Sequence, residues 1–275
     1  GGGVAGAGWA TTCAQALALV FGISLILRAP YRREYAFHLT WRPHAKRLWR
    51  QFRLGFPMGL LYAADLIGIS LFQMMQVRLG TVDGAATQVV MMITSVAYTP
   101  GFGIALAGTT LVGQSIGAGD RDWAMRVGTR VTWLVAIYMG GAGLLLAAAG
   151  PWVLPLFTSA QDANAPAMVS LGIHILWLAA LYQFFDGMNL GSGLCLRGAG
   201  DAFVPSVLVI GLSWFVFLPL AHALTFRPGQ GWFDFLPQAG WGAIGGWTAL
   251  VIYISLLGLT LYMRWRSGAW KRIRI

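Results

Sequence analysis

The sequence predicts an all-α fold, a polytopic membrane bundle of about seven transmembrane helices. Mean hydropathy is +0.66, and 57% of the 275 residues are hydrophobic whereas only 10% are charged. A soluble domain of this size would not ordinarily tolerate that balance. The apolar residues also fall in runs long enough to cross about 30 Å of hydrocarbon as helices. We therefore expect a multi-pass protein whose immediate partner is the lipid bilayer.

The predicted spans follow the apolar runs, which lie at 4–27, 55–77, 86–113, 131–149, 166–190, 203–225 and 240–263. Glycine pairs at four-residue spacing, which favour close helix packing, occur at Gly55 and Gly59, Gly187 and Gly191, and Gly242 and Gly246. Proline interrupts two of the spans, at Pro100, Pro205 and Pro219. Because proline removes a backbone donor, we expect bends or breaks there, either beside a cavity or as static kinks in a packed bundle.

Basic residues predict the orientation of the chain. The link between the first two spans carries Arg28, Arg32, Arg33, Arg42, Lys46, Arg47, Arg50 and Arg53, and the tail carries Arg264, Arg266, Lys271, Arg272 and Arg274. By the positive-inside rule these segments are cytoplasmic, so the chain starts outside and its C-terminus is cytoplasmic. The formal net charge of +10 therefore indicates membrane topology, and no nucleic-acid partner is expected.

Two carboxylates lie inside apolar runs, Asp65 in the second span and Asp186 in the fifth. An acid near the bilayer centre costs roughly 2.5–3.5 kcal/mol on insertion scales, so each needs a reason to be there. Arg53 lies 12 residues before Asp65, and Arg197 lies 11 residues after Asp186. At 1.5 Å per residue both acids are about 16–18 Å from a cytoplasmic arginine, close to the midplane.

This matched depth predicts a shared cation site. Desolvation and mutual repulsion disfavour two free carboxylates, which favours binding of a proton or a small cation. Tyr182 lies four residues before Asp186 on the same helical face and adds an oxygen to the site. If the ion is Na+, the predicted metal ligands are Asp65, Tyr182 and Asp186. The alternative is that each acid bonds a neighbouring hydroxyl or indole and only stabilises packing.

An enzymatic function is not expected. The motif GAGD, at 117–120 and 198–201, matches the GxGD signature of intramembrane aspartyl proteases. In such a site the Asp must lie within the membrane beside a second acid, with which it shares a proton. Here Asp120 and Asp201 lie at the cytoplasmic ends of helices, so we expect glycine turns in which Asp caps the next helix. The sequence holds no nucleophile elbow, metal-ligand cluster or phosphate-binding loop, and no cofactor is expected.

Four stretches occur in order between residues 54 and 225: GFPMGLLYAADL, AATQVV, PGFGIALAGTTLVGQSIGAGD and LYQFFDGMNLGSGLCLRGAGDAFVP. With GQSIGAGD and LRGAGD at helix ends, they resemble the C-terminal half of NorM-like multidrug and toxic compound extrusion (MATE) transporters. The resemblance implies a twelve-helix antiporter of two six-helix lobes that opens alternately to each side of a bacterial inner membrane. It also implies a cation site at Asp65, Tyr182 and Asp186. The chain departs from the NorM-like pattern at Asp65, usually Glu, and at Thr87, usually His.

On this mapping the chain has four segments. Residues 1–27 are the last helix of the N-terminal lobe, 28–53 a basic cytoplasmic linker, 54–263 the six-helix C-terminal lobe and 264–275 a basic cytoplasmic tail. Within the linker, residues 45–53 repeat apolar and basic side chains at helical spacing, which indicates either an amphipathic helix on the inner surface or a solvated connection. The chain would then be a fragment that needs the missing N-terminal lobe of the same protein for alternating access.

The predicted function is antiport, in which Na+ or H+ enters and an amphipathic organic cation, such as a drug, leaves through a cavity shared by the lobes. Candidate cavity residues are Met91, Met92, Tyr98 and Phe102, for which helix packing is the alternative role. One other candidate function is a lipid-linked precursor flippase of the same superfamily, although such proteins line their cavity with basic residues. The other is a non-transporting membrane scaffold, which would be indifferent to Asp186→Asn.

Overall fold

Helices make up almost all of the structure. The computed structural model describes residues 3–27, 44–158, 163–233 and 237–272, with the backbone alone at several positions before residue 63. The α-helices are α1 Gly3–Ile26, α2 Ala45–Leu79, α3 Thr81–Gly117, α4 Arg121–Val153, α5 Ala165–Gly198, α6 Phe203–Leu212, α7 Leu218–Thr225 and α8 Gly242–Arg266. A π-helical segment, Ser213–Phe217, joins α6 to α7. Short 3-10 turns occupy Leu154–Phe157 and Ala269–Arg272.

The predicted all-α membrane bundle is confirmed. The described residues contain no β-strand, and six of their helical segments are long and apolar enough to cross a membrane. These segments are Gly8–Leu25, Thr81–Gly117, Arg121–Phe157, Ala165–Gly198, Phe203–Thr225 and Gly242–Arg266. The remaining predicted span, 55–77, lies within α2, where some side chains are not described. Its crossing of the membrane stays a prediction.

The chain divides into two compact units, Gly1–Pro57 and Met58–Ile275. In the first unit, α1 exposes large apolar side chains such as those of Leu17 and Phe21. In the second unit, α5 occupies the centre and packs against α3, α4 and α8. A large apolar core includes buried side chains of these helices, among them Leu176 and Leu257.

The segment limits around the predicted linker stay a prediction. Residues 28–43 lie outside the described part of the chain. From Ala45 the backbone is helical without a break to Leu79, so residues 45–53 form the first turns of α2. Leu48, Trp49 and Phe52 are exposed there, and the Trp49 and Phe52 rings stack with centroids 5.7 Å apart.

Glycine brings α5 close to α4, which confirms the packing predicted for one of the glycine pairs. A Cβ atom on Gly187 would lie 2.7 Å from the Cα of Ala136, and one on Gly191 would lie 2.6 Å from the Cα of Thr132. Any larger residue would push the two backbones apart. A Cβ on Gly59, by contrast, would have no described neighbour within 4 Å.

The prolines have different effects on their helices. α3 continues through Pro100 without interruption. In the sixth span, Pro219 is the second residue of α7, and the π-helical segment precedes α7. Because Pro219 lacks an N–H group, an α-helical backbone would leave the carbonyl of Phe215 without its partner, and the chain winds into a wider turn at this point. The sixth span therefore stays helical past Pro219, and only its α-helical hydrogen-bonding pattern is interrupted there.

The two GAGD motifs form matching turns, as expected. Gly119 and Gly200 have φ values of 85° and 80°, which glycine adopts without strain. In each turn the Asp N–H bonds back to a carbonyl five residues earlier, from Asp120 to Ser115 at 3.0 Å and from Asp201 to Leu196 at 2.9 Å. Both helices therefore end in a Schellman motif.

The capping role predicted for the two aspartates is right for one and wrong for the other. The Asp120 carboxylate accepts a hydrogen bond from the N–H of Trp123 at 2.8 Å and caps α4. Asp201 does not cap α6, whose N-cap residue is Ala202. Its carboxylate is buried and forms an ion pair with Arg264 of α8 at 2.9 Å. Asp201 therefore ties the end of α5 to the last turn of α8.

The link between α7 and α8 folds back onto the end of α7. The N–H groups of Ala239 and Trp241 donate to the carbonyls of Ala223 and Leu224, at 2.7 and 2.9 Å. The N–H of Trp232 donates to Nε2 of His222 at 2.9 Å. These bonds place the described part of the link over the end of the sixth span.

Candidate cation-binding site

Asp186 lies at the middle of α5 and is only 5% exposed. Its Oδ2 accepts a hydrogen bond from the Tyr182 hydroxyl at 3.3 Å, and its Oδ1 accepts one from the Asn189 amide at 3.1 Å. The three residues are spaced by four and three positions, which places them on one face of the helix. Each carboxylate oxygen thus has a neutral donor beside it.

The structure brings the second predicted acid to the same region. Asp65 of α2 is half-buried, and its charge interacts with that of Asp186. The hydroxyl of Tyr253, on α8, is a hydrogen-bond partner of the Asp65 carboxylate. The acids therefore lie in one neighbourhood, each beside a tyrosine hydroxyl, although the chain places them 121 residues apart.

The π-helical segment positions α2 beside this neighbourhood. The indole N–H of Trp214 donates to the carbonyl of Ala64 at 3.2 Å. A Cβ atom on Gly68 would lie 2.7 Å from the Ser213 hydroxyl oxygen, so the segment packs closely against α2 at this glycine. Ser213 is 1% exposed and also bonds the Tyr253 hydroxyl. Asp65, Tyr253 and Ser213 therefore form a connected polar group within the bundle.

Three residues of this neighbourhood were not predicted from the sequence. Asn189 could have been found, because it lies three residues after Asp186 and therefore on its face. Tyr253 and Ser213 come from other helices, and their positions along the chain give no local signal. The described residues contain no group of three His, Cys, Asp or Glu side chains that could hold a metal ion. The oxygen atoms of the two acids and of Tyr182 suit a proton or a hard monovalent cation better than a transition metal.

The four candidate cavity residues, all on α3, differ in their exposure to the surroundings. Met91 is half-buried and packs against the apolar core, as its alternative role predicted. Met92, Tyr98 and Phe102 are exposed. The Tyr98 and Phe102 rings stack with centroids 6.2 Å apart, and Tyr98 interacts electrostatically with Tyr182. The exposed aromatic pair therefore adjoins the Asp186 neighbourhood.

Thr87, which departs from the usual pattern of the resemblance, has a local partner. Its hydroxyl accepts a hydrogen bond from the indole N–H of Trp247 at 3.2 Å. Thr87 and Trp247 are each 1% exposed. The threonine therefore joins α3 to α8 in the interior of the bundle.

Sequence comparison places the chain among known proteins. The profile of the MatE family matches residues 57–221. A probable multidrug resistance protein NorM from Brucella suis is 29% identical over 266 residues, which cover 96% of this chain and 54% of that protein. A second one, from Pseudomonas syringae, is 30% identical over 234 residues, which cover 82% of this chain and 47% of the relative. The chain thus spans about half the length of the curated relatives that it matches.

Solved structures share the fold. A MOP superfamily transporter from Pyrococcus furiosus superposes with a TM-score of 0.78 at 18% identity, over 99% of this chain and 58% of that one. An inward-facing multidrug resistance MATE family transporter gives a TM-score of 0.65 at 18% identity, over 85% of this chain and 51% of that one. At such identities the likeness shows the fold alone. With the family profile covering residues 57–221, more than half of the sequence, the chain belongs to the MatE family and is a NorM-like member of it.

Proposed function

We propose that this chain is the cation-binding lobe of a multidrug efflux antiporter, in which Na+ or H+ moves inward as an amphipathic organic cation moves out. The observation that carries the proposal is the buried carboxylate of Asp186, which two neutral donors hold and which interacts electrostatically with Asp65. Neither acid forms an ion pair with another described residue. Two such charges repel each other in a region of low dielectric, and a bound cation removes that cost.

Tyr182 and Asn189 give the site two states. Without a cation, the Tyr182 hydroxyl and the Asn189 amide donate to the carboxylate of Asp186. When a cation binds, rotation of the hydroxyl turns its lone pairs toward the ion, because the same oxygen both donates and accepts. An inward-moving ion gains about 2.3 kcal/mol per charge per 100 mV of membrane potential. That free energy biases the transporter toward one of its two conformations.

The proposed substrate surface is the exposed aromatic pair Tyr98 and Phe102, and Met92 is a further exposed residue of the same helix. Aromatic faces attract organic cations, and methionine adapts to ligands of different shape. Tyr98 also adjoins Tyr182, so a drug bound to the pair would lie next to the cation site. The relatives are about twice as long as this chain, and we infer that an N-terminal lobe of the same protein supplies the other wall of the cavity.

We place the protein in a bacterial inner membrane with the basic end of the bundle in the cytoplasm. Arg264, Arg266, Lys271 and Arg272 all lie in the last turns of the described chain, as the positive-inside rule requires of a cytoplasmic end. We propose neither a catalytic reaction nor a bound cofactor. The coupling ion is the only small ion that the proposed mechanism needs.

Two other functions remain as alternatives, and each has a discriminating observation. A flippase for a lipid-linked precursor would meet the pyrophosphate with basic residues. The sequence has no Lys or Arg between Arg78 and Arg121 or between Arg130 and Arg197, which covers all of α3 and most of α5. A membrane scaffold would need no ion and would not respond to a change at Asp186.

The transport test is ethidium efflux from cells that express a complete two-lobe protein containing this chain, under imposed Na+ and H+ gradients. We expect Asp65→Asn and Asp186→Asn each to lower gradient-driven efflux at least tenfold. Asp122→Asn is the matched control, because Asp122 is an exposed acid at the basic end of the bundle. If both buried-acid variants pump at the wild-type rate, the coupling mechanism is wrong.

A binding test needs only the chain itself, purified in detergent. If Na+ is the coupling ion, we expect Na+ to raise the melting temperature of the wild-type chain, and Asp186→Asn to abolish that rise. Tyr182→Phe removes one oxygen from the site and should weaken Na+ binding roughly tenfold, the value of one hydrogen bond to a charged group. Tyr262→Phe changes a tyrosine that bonds Trp133 instead and should leave the affinity unaltered.

A further inference from the structure

A second buried polar group lies on the same face of α2 as Asp65. Phe72 and Gln76 follow Asp65 by seven and eleven residues, the spacing of one helical stripe. Gln76 is fully buried, and neither its amide nitrogen nor its amide oxygen has a hydrogen-bond partner among the described residues. At 1.5 Å per residue, Gln76 lies about 16 Å along the helix from Asp65, toward the end away from the basic tail.

Thr225 and Gly246 surround the Gln76 amide. Thr225, at the end of α7, is 1% exposed, and its hydroxyl oxygen also has no partner in the described part of the chain. A Cβ atom on Gly246 of α8 would overlap the Gln76 nitrogen and lie 2.8 Å from the Thr225 oxygen. Glycine at this position therefore lets both polar side chains lie against the backbone of α8.

An aromatic layer separates these polar groups from the Asp65 neighbourhood. The ring of Phe72 lies 5.4 Å from that of Phe217 and 6.2 Å from that of Trp247, measured between centroids. Phe217 in turn stacks on Tyr253 at 5.1 Å. Each of the four side chains is at most 5% exposed. The Tyr253 hydroxyl reaches Asp65, so the layer begins at the acid itself.

Three helical elements meet here, and each carries its polar and aromatic residues in the same order along the bundle axis. Along α2, Asp65 is followed by Phe72 and then Gln76. From the π-helical segment into α7, Ser213 is followed by Phe217 and then Thr225. α8 runs in the opposite sense, and its order is Gly246, Trp247 and then Tyr253. An acid site, an aromatic layer and a polar group are thus stacked along the bundle axis.

We propose that Gln76 and Thr225 line a pocket that holds ordered water, and that this proposed pocket is the outer segment of the route by which the coupling ion reaches Asp65. Buried polar atoms without protein partners are the groups that internal water satisfies. The aromatic layer closes the route in the present conformation, and its opening connects the pocket to the acid. This inference rests on the proposed antiport function, and its two parts are tested separately.

Hydroxyl-radical footprinting with mass spectrometry tests the pocket in the full chain in detergent, because radicals formed from internal water oxidise the side chains next to it. Trp247 is 1% exposed and Trp265 is fully buried, so bulk solvent reaches neither. We expect Trp247 to be oxidised at least fivefold faster than Trp265, which bonds Thr129 at the basic end. Equal rates would overturn the pocket, and this comparison needs no variant that must fold.

Variants then connect the water to the polar atoms. Gln76→Leu combined with Thr225→Val keeps the volume nearly constant, and should lower Trp247 oxidation to the Trp265 rate. Thr132→Val is the matched control, because the Thr132 hydroxyl is as deeply buried but bonds the Gly128 carbonyl at 2.8 Å. Loss of Trp247 labelling in the control, or its persistence in the double variant, would assign the signal to another source.

Ion-binding kinetics test the route in the two-lobe protein. We expect Gln76→Leu to slow Na+ or H+ binding at least tenfold while equilibrium affinity changes less than twofold, because the residue lies on the path and not in the site. Asp186→Asn should abolish the affinity itself. An unchanged rate in Gln76→Leu overturns the route and leaves the antiport function intact. Full affinity in Asp186→Asn overturns both.

Discussion

The ion pair between Asp201 and Arg264 offers a direct test of how the bundle is held together. The Nε atom of Arg264 lies 2.9 Å from the Oδ2 atom of Asp201. The Asp201 side chain is 2% exposed and the Arg264 side chain is 29% exposed. Arg264→Gln removes the positive charge and leaves a buried carboxylate without its partner. Breaking a buried pair in this way costs about 3–5 kcal/mol, and the partial exposure of Arg264 places the expected loss near the lower end, at about 3 kcal/mol.

The assay is thermal unfolding of the purified chain in detergent, followed by circular dichroism. At roughly 2–4 °C per kcal/mol for a chain of this size, Arg264→Gln should lower Tm by about 6–12 °C. Asp122→Asn is the control, because Asp122 lies closer to Lys271, at 2.7 Å, yet is 80% exposed. Solvent screens that pair, so its loss should leave Tm unchanged.

A double variant separates the charge from the packing. Asp201→Asn combined with Arg264→Gln removes both charges and should recover part of the stability lost in Arg264→Gln alone. If Arg264→Gln lowers Tm no more than Asp122→Asn does, the buried pair does not hold α5 to α8 and the reasoning is refuted.

Two further predictions concern substitutions of glycine, and each has its own control variant. Gly191→Val places a side chain against the Thr132 backbone, where even a Cβ would lie 2.6 Å from its Cα, and should cost about 3 kcal/mol in the free energy of unfolding. Gly141→Ala, with no neighbour within 4 Å, should cost nothing, and equal melting of the two variants would contradict the close packing. Gly200→Ala forces alanine to a φ of 80° and should lower stability by about 1 kcal/mol. Gly117→Ala, in open space at the end of α3, is its control in the same melting assay, and an equal loss there would show that φ is not the cause.

The sequence is sufficient to predict the neighbours of Asp186 on its own helix. Tyr182 and Asn189 are spaced by four and three residues from it, and helical periodicity alone places side chains at that spacing on one face. The structure shows both donating to Asp186. Of these two residues, only Tyr182 is among the predicted ligands.

No local sequence pattern predicts which residues pair with Asp65 and Asp201. Asp201 was expected to cap the following helix, and instead it reaches across the bundle to Arg264. Asp65 meets Tyr253, which lies 188 residues later in an apolar run with no distinguishing feature. Both contacts depend on how each helix is rotated about its axis, and hydropathy does not specify that angle for helices that are apolar on most sides.

The sequence by itself determined the helical membrane class, the matching glycine turns at the two GAGD motifs and the residues that share a face of α5. Those features follow from hydropathy, from backbone conformation and from the 3.6-residue period, and each acts within a few residues of chain. Only the tertiary structure decided that Asp65 meets Tyr253, that Asp201 pairs with Arg264 and that Gln76 and Thr225 both lie against Gly246. These contacts join helices far apart in the chain, and close backbone approaches such as that of Gly191 to Thr132 help to set which faces meet.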